Sequence, residues 1–277
     1  MKKNIKKIFY FLEKLRIIHM LFNKIYKLHS NYLEDLNLSK GNLFHSLKLE
    51  LNDFKVLNGP FKDLIYYSSE SLAFENFNKI IGTYELELHP ILYHLFMKKY
   101  DIIIDIGSAE GYYVVGFTTK WPEAQIFAYD NNPQVIFKLK EMLKKNNILD
   151  RVIIKEWCDE NELLSLPQSK KILLLSDCEG YEINLFTDKV IKHLKNCDFI
   201  IEAHDGYERN ISKTLIKRFR KDFKITIIKQ KKRRIKDFPL NTNASDFQKI
   251  SAMYEGKGYW LRWLFIESKG NVENVEL

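Results

Sequence analysis

Short apolar runs alternate with amphipathic stretches along the chain from residue 100 onward. The runs are rich in aliphatic and β-branched residues, and their lengths suit strands buried on both faces of a sheet. They span residues 102–104, 125–129, 152–154, 172–175, 199–201, 225–228 and 260–266. Helical periodicity separates most of them, and Asn132-Pro133 is predicted to cap and open one such helix. The alternation predicts an α/β fold with a mostly parallel sheet.

The last two apolar runs are not separated by an obvious helix. The residues between them, 231–259, include the basic run Lys231-Lys-Arg-Arg234 and are otherwise largely polar. This pattern predicts an insertion in a long hairpin that could cover a binding site, although a solvated edge is the simplest interpretation of the basic run. We expect a helical N-terminal extension, residues 1–75, before a Rossmann-like domain, residues 76–277.

The first 27 residues combine a helical stripe with most of the net charge. The segment carries eight basic side chains and one acid, Glu13, in a chain whose net charge is +8. Three interpretations stay open: a helix that packs onto its own domain, a helix on an anionic membrane surface, and a helix that binds a partner or a second copy. The stripe recurs at steps of three and four, at Ile5, Ile8, Leu12, Leu15, His19, Phe22 and Tyr26.

The composition is that of a soluble globular protein. The chain has 277 residues, of which 45% are hydrophobic and 29% charged, and it has no apolar run near the roughly 18 residues of a membrane-spanning helix. Its three cysteines form no CxxC pair, which disfavours a disulfide framework and a zinc finger. A reducing cytoplasm is the expected location, at the inner face of the membrane if residues 1–27 bind lipid. No nucleic-acid partner is expected, because the basic segment lacks interleaved aromatic residues displayed for stacking.

A glycine turn joins the first predicted strand to a helix. Asp105 ends the strand, Gly107 would let the backbone approach a ligand, and Gly111 would open the helix without a clashing Cβ. Ligands of open parallel sheets bind beyond the carboxyl ends of the strands. The spacing D-x-G-x-x-x-G differs from the G-x-G-x-x-G that cradles a dinucleotide, which disfavours an NAD enzyme.

Acids also follow the second and third predicted strands. Asp130 is placed to accept both hydrogen bonds of a ribose diol, and Asp159 could accept from an adenine amino group. Three acids at successive strand ends after a glycine turn indicate a site for an adenosyl group.

With these segments the chain resembles class I S-adenosylmethionine-dependent methyltransferases, and within them the FkbM-type methyltransferases most. The residues that carry the resemblance are 104–112, 129–130, 176–182, 200–204 and, upstream, 81–85. The first motif departs from the family's commoner Gly-Ala-Asn form, which leaves the roles of Ser108 and Glu110 open.

The resemblance implies a seven-stranded Rossmann-like sheet of the class I methyltransferase type. It implies S-adenosylmethionine as the cofactor and O-methylation of a hydroxyl on a sugar, a glycan or a small metabolite, as in glycan biosynthesis. The cofactor-binding residues that it implies are Asp105, Gly107, Ser108, Gly111, Tyr112, Asp130, Asn131, Asp159, Asp177 and, upstream, Tyr84 and Glu85.

Candidate catalytic residues follow the fourth and fifth predicted strands. His204 is the expected general base, because an imidazole titrates near neutral pH and acids flank it, although it could instead orient a loop. Asp177 should face the ligand crevice or cap the next helix. These two residues with Glu179 and Asp205 could also hold Mg²⁺ or Mn²⁺, which the resemblance does not demand.

Two other functions stay open. A metal-dependent glycosyltransferase could use Asp177-x-Glu179 to hold a nucleotide sugar, but this leaves Gly107, Gly111 and Asp130 unexplained. A non-catalytic membrane-surface or scaffold protein could retain the fold, although nothing structural requires the whole set of glycines and acids.

Overall fold

The computed structural model describes residues 2–47, 54–66, 76–206, 210–257 and 261–269, with side chains from residue 24 onward except that of Leu47. The described part contains one sheet of seven strands in the order β3-β2-β1-β4-β5-β7-β6. The strands are β1 (Ile102–Ile106), β2 (Gln125–Tyr129), β3 (Val152–Lys155), β4 (Ile172–Ser176), β5 (Asp198–Ala203), β6 (Phe223–Lys229) and β7 (Arg262–Ser268).

The sheet confirms the predicted fold class. Strands β1 to β5 run parallel, and β7 lies antiparallel between β5 and β6. Every residue of β1, β4 and β5 is buried, as expected for strands covered by helices on both faces. The chain therefore has the Rossmann-like, mostly parallel sheet of the class I methyltransferase type, with a helix at its N-terminus.

Helices cover both faces of the sheet. Asn132 caps the helix Pro133–Lys145 as predicted, since its side chain accepts from the backbone N–H of Gln134. Two short helices lie between β4 and β5, and Thr187 starts the second of them by accepting from the backbone N–H of Val190. The described helices are α1 (Lys2–Leu47), α2 (Phe77–Ile80), α3 (His89–Phe96), α4 (Tyr112–Lys120), α5 (Pro133–Lys145), α6 (Glu160–Leu164), α7 (Glu182–Leu185), α8 (Asp188–His193), α9 (Ile211–Phe219) and α10 (Asp246–Ala252).

Residues that precede β1 complete the core on one face of the sheet. The ring of Phe61 lies 5.3 Å from that of Tyr112 and 5.7 Å from that of Phe117, centroid to centroid. Gly116 makes room for this ring, because a Cβ there would lie 2.3 Å from Phe61 Cδ1. Aromatic packing of this kind buries large apolar areas and stabilises the helix that follows the glycine turn.

The insertion between β6 and β7 is a long hairpin that also contains a helix. The two strands pair directly from Phe223 with Ser268 to Lys229 with Arg262. Helix α10 starts at a capping box, in which Ser245 and Gln248 each accept from the other's backbone N–H. The sequence prediction missed this helix, although the Ser-x-x-Gln spacing is a helix-start signal. The Phe247 ring contacts Tyr32 of α1, so the insertion packs against the N-terminal helix.

Helix α1 extends well beyond the predicted N-terminal segment. Its buried side chains lie near its C-terminal end, where Leu36, Leu43 and Phe44 are at most 2% exposed. Tyr26, the last residue of the predicted stripe, is 67% exposed and does not pack onto the domain. The rest of the stripe lies outside the described side chains. No helix among the described residues is both long and apolar enough to cross a bilayer.

Replacing Gly107 with alanine should destabilise the protein by about 3 kcal/mol, because φ is +83° and a Cβ would lie 1.9 Å from the carbonyl oxygen of Asp177. Urea unfolding measures the loss. The matched control is Gly206→Ala, where a Cβ meets nothing within 4 Å. Equal unfolding midpoints for the two variants would show that the backbone at Gly107 relaxes freely.

Candidate functional site

A cavity of about 540 Å³ opens beyond the carboxyl ends of β1 to β4. This is the edge where ligands of open parallel sheets bind, and the volume falls within the usual range for small-molecule sites. Five of the predicted site residues line it. They are Gly107, Asp130, Asn131, Asp177 and Glu179.

The carboxylate of Asp130 fixes the glycine turn as well as facing the cavity. Its Oδ2 accepts from the backbone N–H of Ala109 at 3.1 Å, and its Oδ1 accepts from that of Asn132 at 2.9 Å. Ala109 has a φ of +47°, so the turn is held in a conformation that an alanine seldom adopts. A carboxylate has about four lone-pair sites, so Asp130 retains acceptor capacity for a diol.

An aromatic pair that the sequence analysis missed lies at the mouth of the cavity. The rings of Trp157 and Tyr181 have centroids 5.3 Å apart, and both residues line the cavity. Trp157 is 55% exposed, which is unusual for so large an apolar side chain and indicates a surface for stacking. The sequence signal that could have revealed this pair was a tryptophan, Trp157, just after the third predicted strand.

Asp159 does not line this cavity. Its Oδ1 accepts from Glu162 N at 2.9 Å and caps α6. The structure thus brings Trp157 to the cavity in place of the acid predicted to contact adenine.

The other four predicted cofactor residues in or near the turn are Asp105, Ser108, Gly111 and Tyr112. The Gly111 backbone has a φ of +97°, and a Cβ there would meet Leu139 Cδ1 at 2.5 Å, so this glycine serves helix packing. Ser108 and Tyr112 are buried, and their hydroxyls find no hydrogen-bond partner within the described residues.

Asp105 is 1% exposed, and neither carboxylate oxygen has a hydrogen-bond partner in the part of the chain that the structure describes. Burial, and then the nearby charges of Asp177 and Asp130, raises the pKa of this carboxyl well above its usual range. Orphaned polar atoms under a ligand-binding turn are the feature expected where a bound group supplies the missing partner.

Four carboxylates lie within 3.8 Å of the His204 ring, and the three nearest belong to Asp177, Glu179 and Glu182. The ring Nδ1 lies 2.6 Å from Oε1 of Glu182, and the ring Nε2 lies 3.3 Å from Oδ1 of Asp177 and 3.4 Å from Oε2 of Glu179. The side chain of His204 is 3% exposed, against 26% for Asp177 and 65% for Glu179. The two carboxylates therefore face the cavity, and the imidazole lies behind them. We call Asp177, Glu179, Glu182 and His204 the acid–histidine cluster.

The charge around His204 favours its protonated form. Burial lowers its pKa, but the hydrogen bond to Glu182 and the charges of Asp177 and Glu179 outweigh burial and raise it. A protonated imidazole is a positioning and charge-balancing group, not a free base.

A buried lysine from the insertion closes the other side of the cluster. Lys257 Nζ lies 2.9 and 3.1 Å from the carboxylate oxygens of Glu202 and also pairs with Glu85. Burial, and then the charge of Asp177, raises the pKa of Glu202 to about 10. Of the upstream residues predicted to bind cofactor, Glu85 is engaged by Lys257, and the Tyr84 ring lies 5.4 Å from the lysine Nζ. Neither Tyr84 nor Glu85 lines the cavity.

Asp205 does not join the acid–histidine cluster. Its carboxylate accepts from the backbone N–H and the hydroxyl of Ser212, at 2.9 and 2.6 Å, and lies 3.4 Å from Arg262 Nε. It therefore fixes the start of α9. Among the described residues, the predicted metal ligands that come together are Asp177, Glu179 and His204, with one donor atom from each within 4.8 Å of the others.

No family model and no curated protein matches this chain. Among solved structures, it is similar to a SAM-dependent O-methyltransferase from Thermotoga maritima, at 16% identity over 67% of this chain and 66% of that one, with a TM-score of 0.45. It is also similar to precorrin-6y C5,15-methyltransferase from Geobacter metallireducens, at 12% identity over 64% and 84% of the two chains, with a TM-score of 0.42. An rRNA methylase from Streptococcus thermophilus matches at 13% identity over 66% and 96%, with a TM-score of 0.44. Likeness at this level leaves function to be argued from the site, and the FkbM-type assignment stays a prediction.

Replacing Asp105 with asparagine should raise the free energy of unfolding by about 1 kcal/mol near pH 8. Folding raises the pKa of the Asp105 carboxyl, so this group favours the folded state most at low pH, where it is protonated in both states. Its contribution to the free energy of unfolding is lost as the pH rises from the unfolded pKa through the folded pKa. The gain from asparagine should therefore be larger near pH 8 than near pH 4 in urea unfolding. The exposed Asp150→Asn is the control. A gain that does not change with pH would show that folding does not raise the pKa of Asp105.

Proposed function

We propose that the protein transfers the methyl group of S-adenosylmethionine to a hydroxyl of a sugar, a glycan or a small metabolite. The observation that carries this proposal is the juxtaposition, in one cavity, of the glycine turn, the Asp130 carboxylate and two carboxylates of the acid–histidine cluster, those of Asp177 and Glu179. The bound cofactor would supply an electrophilic methyl group on a sulfonium.

The described residues fit an adenosyl group. Asp130 offers acceptors for the ribose hydroxyls, and Trp157 with Tyr181 offers an aromatic surface for the adenine. Gly107 brings backbone without a side chain to the wall of the cavity. Asp105 and Ser108 supply unpartnered buried polar atoms beneath the turn, which makes the turn the natural place for the polar end of the cofactor.

A carboxylate of the site can accept the proton of the acceptor hydroxyl. The acceptor hydroxyl would take the methyl group that the bound cofactor would supply, and its proton would pass to a carboxylate that faces the cavity. Asp177 is the first candidate, since burial raises its pKa and a weaker acid is a stronger base. His204 then acts as the positioning residue, because its Nε2 lies behind both Asp177 and Glu179.

The same donor atoms fit a divalent cation. A histidine that ligates a metal usually donates its other ring N–H to a carboxylate, and Glu182 occupies that place at 2.6 Å from Nδ1. Loss of the Nε2 proton on metal binding would leave the Nε2 lone pair and the two carboxylate oxygens facing one another. A hard cation such as Mg²⁺ or Mn²⁺ would relieve this repulsion and polarise the acceptor hydroxyl.

The rival functions explain less of the site. A glycosyltransferase would use Asp177 and Glu179 but not the Asp130 carboxylate and its turn, and a scaffold would use none of them. The cytoplasmic location, the absence of a nucleic-acid partner and the lipid or partner contact of residues 1–27 stay predictions.

Replacing Asp130 with alanine should weaken the binding of S-adenosylhomocysteine at least tenfold, or by about 1.4 kcal/mol. The variant loses the acceptor for the ribose and the hydrogen bond that holds Ala109. Isothermal titration calorimetry measures the affinity, with Asp150→Ala as an exposed control. Wild-type protein that binds NAD or UDP-glucose but not the adenosyl compound would reject the methyltransferase proposal.

Mn²⁺ should bind to the purified protein, and Glu179→Gln should weaken that binding at least tenfold. Glu179 is exposed, so its replacement removes a ligand without disturbing the core. Electron paramagnetic resonance of free Mn²⁺ gives the affinity without any acceptor. Glu156→Gln, an exposed acid of the same cavity outside the cluster, is the matched control. Equal affinity in the two variants would leave direct proton transfer to a carboxylate as the mechanism.

A further inference from the structure

A second cleft, of about 300 Å³, lies between α1, the end of β6 and the residues that follow α10. Tyr32 contributes one wall from α1, and the hairpin insertion contributes the rest. We call it the basic cleft, because three of its residues come from the basic run that the sequence analysis interpreted as a solvated edge. Its polar lining includes Gln230, Lys231, Lys232, Arg233, Glu255 and Lys257.

Buried polar atoms without partners mark the basic cleft as a site. Among the described residues, such atoms occur at the glycine turn, at the acid–histidine cluster, and here on Gln230 Oε1, Arg233 Nε and Glu255 Oε2. The Arg233 side chain is 9% exposed and that of Glu255 is 3% exposed. Unsatisfied groups this deeply buried are costly, and a ligand that donates and accepts hydrogen bonds would remove the cost.

The arginine at the centre of the basic cleft is held rigidly. Its Nη1 donates to Glu87 Oε2 at 2.6 Å, and its Nη2 donates to Glu255. Nη1 also donates to the carbonyl of Lys231, whereas Nε has no hydrogen-bond partner among the described residues and is a donor available to a ligand. Such a fixed fork is preorganised, so little rotamer entropy is lost when a ligand binds.

The rim of the basic cleft combines positive charge with aromatic surface. Lys231 and Lys232 are exposed, and no ion pair joins either of them to another described residue. Tyr32 is 48% exposed and Tyr254 is 41% exposed. Lysines bind phosphate or carboxylate as point charges, and tyrosine faces pack against sugar rings.

Lys257 connects the basic cleft to the acid–histidine cluster. It lines the cleft, while its Nζ lies 2.9 Å from Glu202 Oε1, and Glu202 Oε2 lies 3.8 Å from His204 Nε2. A series of ion-paired side chains thus runs from this cleft through Glu202 to the acid–histidine cluster.

We infer that the basic cleft anchors the acceptor, and that this acceptor is an anionic saccharide whose phosphate or carboxylate binds Lys231 and Lys232. This inference rests on the proposed methyl transfer, because it assigns the acceptor of that reaction. The sugar ring packs against the tyrosines of the rim, and its hydroxyls satisfy the buried atoms of Gln230, Arg233 and Glu255.

The test compares three probes by isothermal titration calorimetry on the full chain: glucose 1-phosphate, glucuronic acid and methyl glucoside. We expect at least one of the anionic sugars to bind, the neutral glycoside to bind at least tenfold more weakly, and Lys231→Gln/Lys232→Gln to weaken the anionic sugar at least tenfold. The control is Lys213→Gln/Lys217→Gln, two exposed lysines of α9. S-adenosylhomocysteine affinity should be the same in both double variants.

Each other outcome overturns part of the argument. If S-adenosylhomocysteine binds but neither anionic sugar does, the inference fails while the proposed function stands. Binding that is insensitive to the Lys231/Lys232 change places the anion elsewhere. Inorganic phosphate that binds as tightly as glucose 1-phosphate removes the saccharide from the proposal. Failure to bind S-adenosylhomocysteine defeats the proposed function itself.

Discussion

The turn after β1 is held from both sides, and the rest of the site depends on that constraint. The backbone N–H groups of Gly107 and Ser108 donate to the carbonyl of Tyr129 at the end of β2, while Asp177 N donates to the carbonyl of Ile106 at the end of β1. Because the Asp177 carbonyl then occupies the space of a Cβ at Gly107, the turn and the reactive end of β4 cannot move apart independently. One backbone arrangement thereby sets the position of the glycine turn and of the proposed proton acceptor.

Charge balance is the second constraint on this region. The carboxylates of Asp177, Glu182, Glu202 and Glu85 are gathered around two cationic or potentially cationic groups, His204 and Lys257. An excess of buried acid costs folding free energy unless protons, cations or ligands neutralise it. Such concentrations of perturbed carboxyl groups are typical of sites that move protons or bind cations. The hairpin insertion supplies Lys257, so a segment that looks peripheral in sequence completes the centre of the site.

The hairpin insertion and α1 together form the walls of the basic cleft. The insertion brings Arg233 and Lys257 to one side of the cluster, and Tyr32 of α1 closes the wall of the basic cleft. The Tyr32–Phe247 ring contact ties the helix to the insertion. Function resides in sites built onto a fold, so the elements added to the seven-stranded sheet are where we propose that the acceptor binds.

Several residues changed role once the fold was known, each for a physical reason. Asp159 and Asp205 both follow strands, yet each carboxylate is used to start a helix, by accepting from Glu162 and from Ser212. A strand-end acid and a helix cap have the same local sequence signal, so only the direction of the side chain distinguishes them. His204 was expected to be the general base, but the more exposed carboxylates of Asp177 and Glu179 lie between its imidazole and the cavity.

The sequence by itself determined the strands, the order of elements along the chain and the glycine turn, because these follow from local periodicity and from backbone conformations that neighbours in sequence dictate. It also identified Asp130, since a strand, a turn and an acid at the next strand end form one local unit. The tertiary structure alone decided that Trp157 meets Tyr181, that Glu182 orients His204, and that Lys257 reaches Glu85 and Glu202. These partners come from segments far apart in the chain, and their meeting depends on the strand order of the sheet and on the path of the insertion, which no local pattern encodes.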